Sequence, residues 1–286
     1  MIISGKELSA ELKAGMAAQV ADFPAKYGRV PHLVVILVGD DIGSQTYGRN
    51  KEKACEAIGI RNTTIRMPAD IPENVLLDKI AELNADEAVD GILVQLPLPG
   101  HISEPKVIEA ISEEKDVDGF HPLNTAALWQ KRPNFSCTVP CTPKGIIKLL
   151  DAAGCEIAGK RAVVIGRSQI VGLPIAKLLL DRNATVTICH SRTKDLASIT
   201  KEADILIVAI GRAKFVDASM VREGAAVIDV GMDSDPQTGK LCGDVDFDSV
   251  EPKASVISPV PGGVGPMTIA CLMENTIECF LRKFKK

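Results

Sequence analysis

Apolar and polar positions along the chain follow two rhythms, one typical of buried strands and one typical of amphipathic helices. The chain opens with a helical pattern from about Ser4 to Phe23. Predicted strands follow at Leu33–Gly39, at Thr63–Met67 and in VDGILVQL, with helical patterns between them at Ser44–Ile58 and Glu73–Leu83. Strands that alternate with helices predict parallel pairing through right-handed crossovers. We therefore expect an α/β domain in the first half.

A second series of strands follows a stretch rich in Pro, Asn and Cys between Pro122 and Pro143, which interrupts the rhythm. A helix predicted at Lys144–Ala153 leads into the apolar runs RAVVIG, TVTICH, ADILIVAI, AAVIDVG and SVISPV, with a helix at Val171–Leu180 after the first. Near-continuous apolar strands suit a parallel sheet that is covered on both faces. This half is expected to be a Rossmann-like dinucleotide-binding domain.

The expected architecture is thus α/β with two domains and a cleft between them, a division that suits a chain of 286 residues. Residues 1–140 would form the catalytic domain and residues 141–267 the dinucleotide-binding domain. The C-terminal helix, within residues 268–286, is expected to pack back on the first domain.

Composition narrows the classes of function. The 33 basic and 37 acidic residues include no basic arm, so we expect no nucleic-acid partner. No apolar stretch approaches the roughly 18 residues of a membrane-spanning helix, so we expect no membrane partner and a cytoplasmic protein. The eight cysteines include no C-x-x-C pair. They are predicted to be small buried thiols in a reducing compartment, and no metal site is predicted.

The turn after RAVVIG, with the sequence GRSQIVGLP, has features of a phosphate-binding loop, although its spacing is not G-x-G-x-x-G. Gly166 would permit a tight turn, and Gly172 would let the next helix approach the sheet. The helix N-terminus would then face a pyrophosphate, beside Arg167 and Ser168 of the loop.

The end of the next strand bears on the choice of dinucleotide. NAD-specific sites place a carboxylate about 20 residues after the loop to bind the ribose 2'-hydroxyl. Here the strand ends in HSRT, without a carboxylate. Ser191 and Arg192, with Arg167, could bind a 2'-phosphate, which favours NADP over NAD. The alternative is that these charges are ordinary solvated loop residues.

The helix predicted at Ser44–Gly59, with Ser44 as its N-cap, carries a lysine on its apolar face. At about 100° per residue, Lys51 lies about 40° from Tyr47, on the side of Ala54 and Ile58. An inward lysine is costly unless it snorkels, is paired or lines a cleft where its pKa is depressed. A chemical role is favoured for Lys51, whereas Tyr47 could stack on a flat ligand or simply pack.

Two short segments offer further polar groups. Gln95 lies near the carboxyl end of a parallel strand, where open α/β sheets place their ligands, and Pro97 and Pro99 hold the chain extended beyond it. Asp118 stands beside a glycine turn in KDVDGFHP. Each feature alone is weak evidence, because an Asp-Gly turn is usually only a turn.

Taken together, these segments closely resemble the bifunctional methylenetetrahydrofolate dehydrogenase/methenyltetrahydrofolate cyclohydrolase family over nearly the whole chain. The motifs are, in order, S-x-x-Y-x-x-x-K (Ser44, Tyr47, Lys51), VQLPLP, KDVDGFHP, PCTP, GRSQIVGLP, HSRT, DVG and PVPGGVGPMT. Several long matches in order are more specific than any one of them. Ile42-Gly43 replaces the usual Pro-Ala, and Ala126 replaces a common glycine, which puts loop shape in doubt more than activity.

The resemblance implies two reactions. NADP accepts hydride from 5,10-methylenetetrahydrofolate, and water then opens the 5,10-methenyl cation to 10-formyltetrahydrofolate. It implies that Lys51 transfers the proton in hydrolysis and that Gln95 orients Lys51. Asp118 would accept hydrogen bonds from the pterin, and Tyr47 would stack on the folate.

The resemblance also implies further contacts and a homodimer. The folate site would include Pro97, Pro261, Gly262 and Gly263, and the NADP contacts would be Gly166, Arg167, Ser168, Gly172, Ser191, Arg192 and Gly231. Three alternatives stand beside this hypothesis. They are a monofunctional NAD-dependent methylenetetrahydrofolate dehydrogenase, which typically lacks the lysine, a catalytically silent dinucleotide-binding protein, and a shikimate- or amino-acid-type dehydrogenase. Lys51 and the basic HSRT strand end argue against the first, the joint presence of the four folate-site side chains argues against the second, and the third class carries different catalytic motifs.

Overall fold

The computed structural model describes residues 1–39, 42–130 and 137–284, and within these the side chains of residues 42–47 are outside the description. The chain forms two compact units, and neither is continuous in sequence. The first unit is Glu11–Cys141 with Ile269–Lys286, and the second is Met1–Ala10 with Thr142–Thr268. The assignment of a catalytic domain to residues 1–140 and of a dinucleotide-binding domain to residues 141–267 stays a prediction.

The elements alternate between helix and strand along most of the chain. Up to the middle of the chain they are α1 (Gly5–Ala21), α2 (Phe23–Tyr27), β1 (His32–Val38), α3 (Ile42–Ile58), β2 (Arg61–Met67), α4 (Glu73–Ala85), β3 (Gly91–Val94), α5 (Glu104–Ala110) and α6 (Pro122–Gln130). After it come α7 (Cys141–Ala152), β4 (Arg161–Ile165), α8 (Gly172–Asp181), β5 (Thr185–Cys189), α9 (Leu196–Thr200), β6 (Ile205–Val208), β7 (Ala226–Asp229), β8 (Asp233–Ser234), β9 (Leu241–Cys242), α10 (Phe247–Val250), β10 (Val256–Ile257) and α11 (Val264–Arg282).

The first unit is built on a parallel sheet of three strands in the order β2-β1-β3. Alternate side chains of β1 enter two separate cores. Leu33 and Val35 pack in a cluster with Cys55 of α3 and Phe280 of α11, whereas Val34 and Ile36 pack in a cluster with side chains of α4. The central strand is therefore buried on both faces, which explains why its sequence is continuously apolar.

The second unit is built on a parallel sheet of five strands in the order β10-β7-β6-β4-β5, with a short antiparallel pair β8-β9 beside it. The buried strand β6 lies at the centre, and its side chains Leu206 and Val208 share a cluster with Val163 and Ile165 of β4. The predicted α/β class and the Rossmann-like alternation in this half are confirmed.

Several predicted boundaries were wrong, and proline accounts for most of the errors. The helix predicted from Lys144 begins at Cys141, and the last helix begins at Val264, because Pro143 and Pro266 lie in first turns, where the missing N–H costs no hydrogen bond. In the same way α6 begins at Pro122, inside the stretch that we read as irregular. The helix α3 begins at Ile42, so Ser44 lies within its first turn and is not its N-cap.

The last helix contributes to the core of the first unit. Phe280 stacks on Phe23 with ring centroids 5.2 Å apart, and Met273 and Ile277 are buried in the same cluster. At the end of this helix, Lys283 donates a hydrogen bond to the carbonyl oxygen of Val89. Among the described residues, no helix is long and apolar enough to cross a membrane.

Candidate active site

The helix α3 carries Lys51 into the interior. Its side chain is 5% exposed, and Ala54 and Ile58 on the same face are also buried, whereas Lys53 and Glu56 are exposed. The burial that the helical spacing predicts for Lys51 is therefore confirmed. A chemical role for Lys51 depends on the groups that surround its Nζ atom.

Gln95 meets Lys51 at the end of β3. The Nζ atom of Lys51 donates to Oε1 of Gln95 at 2.7 Å, and Nε2 of Gln95 donates to the carbonyl oxygen of Leu96 at 2.7 Å. The backbone of Gln95 is held by a further bond from its N–H to the carbonyl oxygen of Ile36 in β1. Because both ends of the amide are engaged, its oxygen is fixed towards the lysine. Pro97, which follows the cis Leu96–Pro97 peptide bond, is exposed.

Asp118 is the charged group whose electrostatic field acts most directly on Lys51. Burial lowers the pKa of Lys51, and the negative charge of Asp118 opposes that shift. Burial raises the pKa of Asp118 to about 6, Lys51 opposes that shift, and Asp116 adds to it. A lowered pKa makes a lysine release its proton more readily, and the neutral form is the state that accepts a proton.

A tight turn places Asp118, and the neighbouring aspartate shapes that turn. Asp116 accepts hydrogen bonds from the backbone N–H groups of Gly119 at 2.9 Å and His121 at 2.8 Å. Gly119 has a φ of +74°, and a Cβ there would lie 2.6 Å from the carbonyl oxygen of Thr138. The sequence KDVDGF therefore contains one structural carboxylate, Asp116, and one, Asp118, that remains available at the site.

Cys141 is a neighbour of the site to which sequence reasoning assigned no role. Its Sγ donates to the carbonyl oxygen of Val117 at 3.3 Å and lies 4.0 Å from Oδ1 of Asp118. The motif PCTP was visible in the sequence, but nothing in its spacing indicates that its cysteine approaches KDVDGF. All eight cysteines are free thiols, and five of them are buried.

A small pocket lies beside Asp118 within the first unit. Its lining is mostly apolar and consists of Ile92, Val94, Leu96, Ile108, Ile111, Asp116, Asp118 and Phe120. In the part of the chain that the structure describes, no group of three or more histidine, cysteine or acidic side chains could hold a metal ion.

Other predicted features of this region are placed only in part. The side chain of Tyr47 lies outside the described residues, as do those of Ser44, Ile42 and Gly43, so its stacking role stays a prediction. Ala126 is exposed on α6.

The predicted cofactor loop joins β4 to α8, and its backbone lies in close contact with neighbouring backbone at two glycines. Gly166 has a φ of +125°, and a Cβ there would lie 2.2 Å from the carbonyl oxygen of Ala209. A Cβ on Gly172 would lie 2.4 Å from the carbonyl oxygen of Gly166. Oγ of Ser168 accepts hydrogen bonds from the N–H groups of Val171 and Gly172. Both glycines are therefore required by the fold, and the N-terminus of α8 faces this loop.

The segment HSRT, which follows β5 and is predicted to select NADP, exposes its basic side chain, Arg192. Nδ1 of His190 accepts from the N–H of Arg192 at 3.1 Å, and Oγ1 of Thr193 accepts from the N–H of His190 at 2.8 Å. These bonds close the turn on itself, and the side chains of Ser191, Arg192 and Arg167 are all exposed.

Three other predicted glycine positions have structural explanations in the second unit. A Cβ on Gly231 would lie 2.3 Å from the backbone nitrogen of Asp244, and one on Gly263 would lie 2.5 Å from the carbonyl oxygen of Pro259. Gly262 has a φ of +105°, and its carbonyl oxygen accepts from the N–H of Lys6 at 2.9 Å. Pro261, which directly precedes Gly262, is exposed. Whether these positions also touch a ligand stays a prediction.

Comparison with known proteins gives matches along the whole chain. The model for the catalytic domain of tetrahydrofolate dehydrogenase/cyclohydrolase matches residues 3–118, and the model for its NAD(P)-binding domain matches residues 140–284. The bifunctional protein FolD of Listeria innocua is 56% identical over 284 residues, which cover 99% of this chain and 98% of that protein.

Two crystal structures are similar in both sequence and fold. The bifunctional FolD enzyme of Campylobacter jejuni, a methylenetetrahydrofolate dehydrogenase/cyclohydrolase, has a TM-score of 0.95 and 47% identity, covering 99% of each chain. The dehydrogenase-cyclohydrolase of Trypanosoma brucei, in complex with NADP and an inhibitor, has a TM-score of 0.95 and 40% identity, covering 100% of this chain and 99% of that one.

Proposed function

The chain belongs to the tetrahydrofolate dehydrogenase/cyclohydrolase family, and from that premise we propose which of its residues carry each reaction. It is a bifunctional methylenetetrahydrofolate dehydrogenase and methenyltetrahydrofolate cyclohydrolase that uses NADP. The first reaction oxidises 5,10-methylenetetrahydrofolate to the 5,10-methenyl cation, and the second hydrolyses that cation to 10-formyltetrahydrofolate.

For the oxidation, the chain has to bind and orient its ligands. NADP supplies the hydride acceptor, and the folate nitrogen stabilises the cation that develops, so no side chain has to act as a base. Gly166 and Gly172 fit a pyrophosphate, because they keep Cβ atoms out of the loop at the start of α8. Arg192, Ser191 and Arg167 are exposed and would hold a 2'-phosphate.

For the hydrolysis, Lys51 is the proton-transfer group. The observation that carries this role is the buried Nζ atom, 2.7 Å from Oε1 of Gln95. Burial lowers the pKa of Lys51 against the opposing charge of Asp118, and the hydrogen bond to Gln95 holds its Nζ atom in a fixed direction. Neutral Lys51 accepts a proton from the water that attacks the methenyl carbon. The bond from that carbon to N5 then breaks, N5 takes up the proton that leaves the new hydroxyl group, and the carbon remains on N10 as a formyl group.

The other residues of this region bind the folate. Asp118 accepts hydrogen bonds from the pterin ring, next to the apolar lining of the pocket beside β3. Tyr47 stacks on the folate, and Pro97, Pro261, Gly262 and Gly263 line its path. The resemblance in sequence supports these roles, and the position of Asp118 beside Lys51 supports them further.

We propose further that the protein is a cytoplasmic homodimer. Eight free cysteines suit a reducing compartment, where disulfides are rare. The homodimer follows from the family resemblance, and light scattering of the purified protein would measure its mass in solution directly.

Replacing Lys51 by methionine tests the division of roles. Methionine keeps much of the side-chain volume but has no proton to exchange, so hydrolysis of methenyltetrahydrofolate should fall at least about 100-fold. Part of the NADP-dependent oxidation of methylenetetrahydrofolate should survive, because that step needs no base. The matched control is Lys53→Met on the exposed side of α3, which should change neither rate. Unchanged hydrolysis in Lys51→Met would remove Lys51 from the mechanism.

A further inference from the structure

Asn275 is a fully buried amide in the middle of α11, within the first unit. Its Nδ2 atom donates to the carbonyl oxygen of Val117 at 2.8 Å and to that of Val139 at 2.9 Å, and it lies 3.4 Å from Sγ of Cys141. Other buried positions of the same helix, such as Met273 and Ile277, carry apolar side chains. A buried amide is costly unless it is hydrogen-bonded, so its presence here indicates a need for these bonds.

The atoms that Asn275 binds lie beside Asp118. Val117 directly precedes Asp118, and Sγ of Cys141 contacts both the Val117 carbonyl oxygen and, at 4.0 Å, Oδ1 of Asp118. One amide therefore ties the turn that carries Asp118 to the segment from Val139 to Cys141. Without that donor, the buried carbonyl oxygen of Val117 would keep only the weak thiol donor of Cys141, and the part-buried carbonyl oxygen of Val139 would lose the amide. The turn would then be held less firmly.

We propose that Asn275 is a positioning residue for the folate site, which holds Asp118 at its place beside Lys51 and acts on the substrate only through Asp118. The inference rests on the role proposed above for Asp118. The last helix would thus take part in substrate binding, although it is far in sequence from KDVDGF.

Steady-state kinetics of Asn275→Ala provide the first readout. The KM for the folate substrate should rise about 10-fold or more in both reactions, because small displacements of a binding group have large effects. The Kd for NADP should stay within about twofold, since those contacts are proposed for the second unit. Asn275→Ser, which keeps one donor, should recover part of the loss. Thr276→Val is the matched control, because Thr276 is equally buried but its hydroxyl donates to Leu272 of the same helix.

A double-mutant cycle with Asp118→Asn separates positioning from a general loss of structure. If Asn275 acts through Asp118, Asn275→Ala should change the folate KM less than about twofold when Asp118 is already asparagine. The same fold increase in both backgrounds, or a lower kcat with unchanged KM, overturns the inference. Should Asn275→Ala not fold, Asn275→Ser takes its place in the cycle. An unchanged folate KM in Asp118→Asn alone would instead overturn the role of Asp118, and the inference with it.

Discussion

Asp116 and Asp118 stand two residues apart, and the fold uses them differently. Asp116 is buried and accepts three hydrogen bonds, two from backbone N–H groups of the turn and one from Nδ2 of Asn124. Asp118 is half-buried beside Lys51, and its pKa is raised to about 6. Asp118 lacks the set of hydrogen bonds that Asp116 accepts, and its ionised form is unfavourable in the fold. We therefore infer that Asp118 serves a function other than stability.

Replacing Asp118 by asparagine should therefore stabilise the protein at neutral pH. Since its pKa is about 6 in the fold against an ordinary value of 3.8, the folded chain binds this proton more tightly than the unfolded chain does. The ionised carboxylate thus lowers the free energy of unfolding as the pH rises from about 4 to about 6, and the loss persists above that. Thermal unfolding at pH 7.5 should show a higher Tm for Asp118→Asn than for wild type, with the difference vanishing near pH 4.

The matched control for this prediction is Asp116→Asn. It disturbs the three hydrogen bonds that the Asp116 carboxylate accepts, so its Tm should fall below that of wild type at neutral pH. A lower Tm for Asp118→Asn at pH 7.5 would mean that Asp118 stabilises the turn and that the assignment of the two carboxylates is wrong.

At the scale of single elements, the sequence predicts strands better than it predicts the helices next to prolines. Apart from the first residues His32 and Arg161, the strands β1, β4 and β6 are apolar because both faces of each sheet are covered. The helix α6 was not predicted, and α7 and α11 begin two residues before Pro143 and Pro266, the prolines that we expected to precede them. A proline in a first turn and a proline in a loop look alike in the sequence, and only the packing of the helix distinguishes them.

Adding one Cβ atom at Gly172, where the loop after β4 meets α8, should destabilise the protein. In Gly172→Ala the new Cβ would lie 2.4 Å from the carbonyl oxygen of Gly166, so the loop or the helix must shift. The expected result is a loss of about 1 to 3 kcal/mol in the free energy of unfolding, together with weaker NADP binding. Chemical denaturation and NADP titration measure the two effects.

Gly15→Ala is the opposite control within α1. Nothing lies within 4 Å of the Cβ that it would add, so the substitution should stabilise the protein by about 0.5 to 1 kcal/mol. If Gly172→Ala behaved like Gly15→Ala, the close approach of α8 to the loop would not be a requirement of the fold.

For the whole molecule, the order of motifs identified the family, while the geometry of the site came only from the structure. The helical spacing of Lys51 predicted its burial, and Gln95, which we expected at a strand end, contacts Lys51 there. The contacts of Cys141 and Asn275 join segments 23 to 158 residues apart, and no local pattern encodes such contacts. Local signals therefore indicated which side chains are candidates for the chemistry, but not how they are held.

If the two reactions use separate residues, they should be separable by mutation. Arg192→Ala removes a cation proposed to bind the 2'-phosphate, so the Kd for NADP should rise about 10-fold or more, with little change for NAD. Hydrolysis of methenyltetrahydrofolate supplied directly should be unaffected. The control is Arg182→Ala, which removes an exposed arginine paired with Asp151 on the surface and should leave both properties unchanged. Equal losses for NADP and NAD would show that Arg192 does not read the phosphate.

The central claim is that Lys51 works in its neutral form, and the rate of methenyltetrahydrofolate hydrolysis in Lys51→Arg tests it most directly. Arginine keeps the positive charge and the reach of the side chain but remains protonated at every accessible pH, so it cannot accept a proton. We predict that hydrolysis falls about 100-fold or more at pH 7.5, while part of the NADP-dependent oxidation remains. Hydrolysis within about threefold of wild type would contradict the account, because a fixed positive charge would then suffice where we require a base.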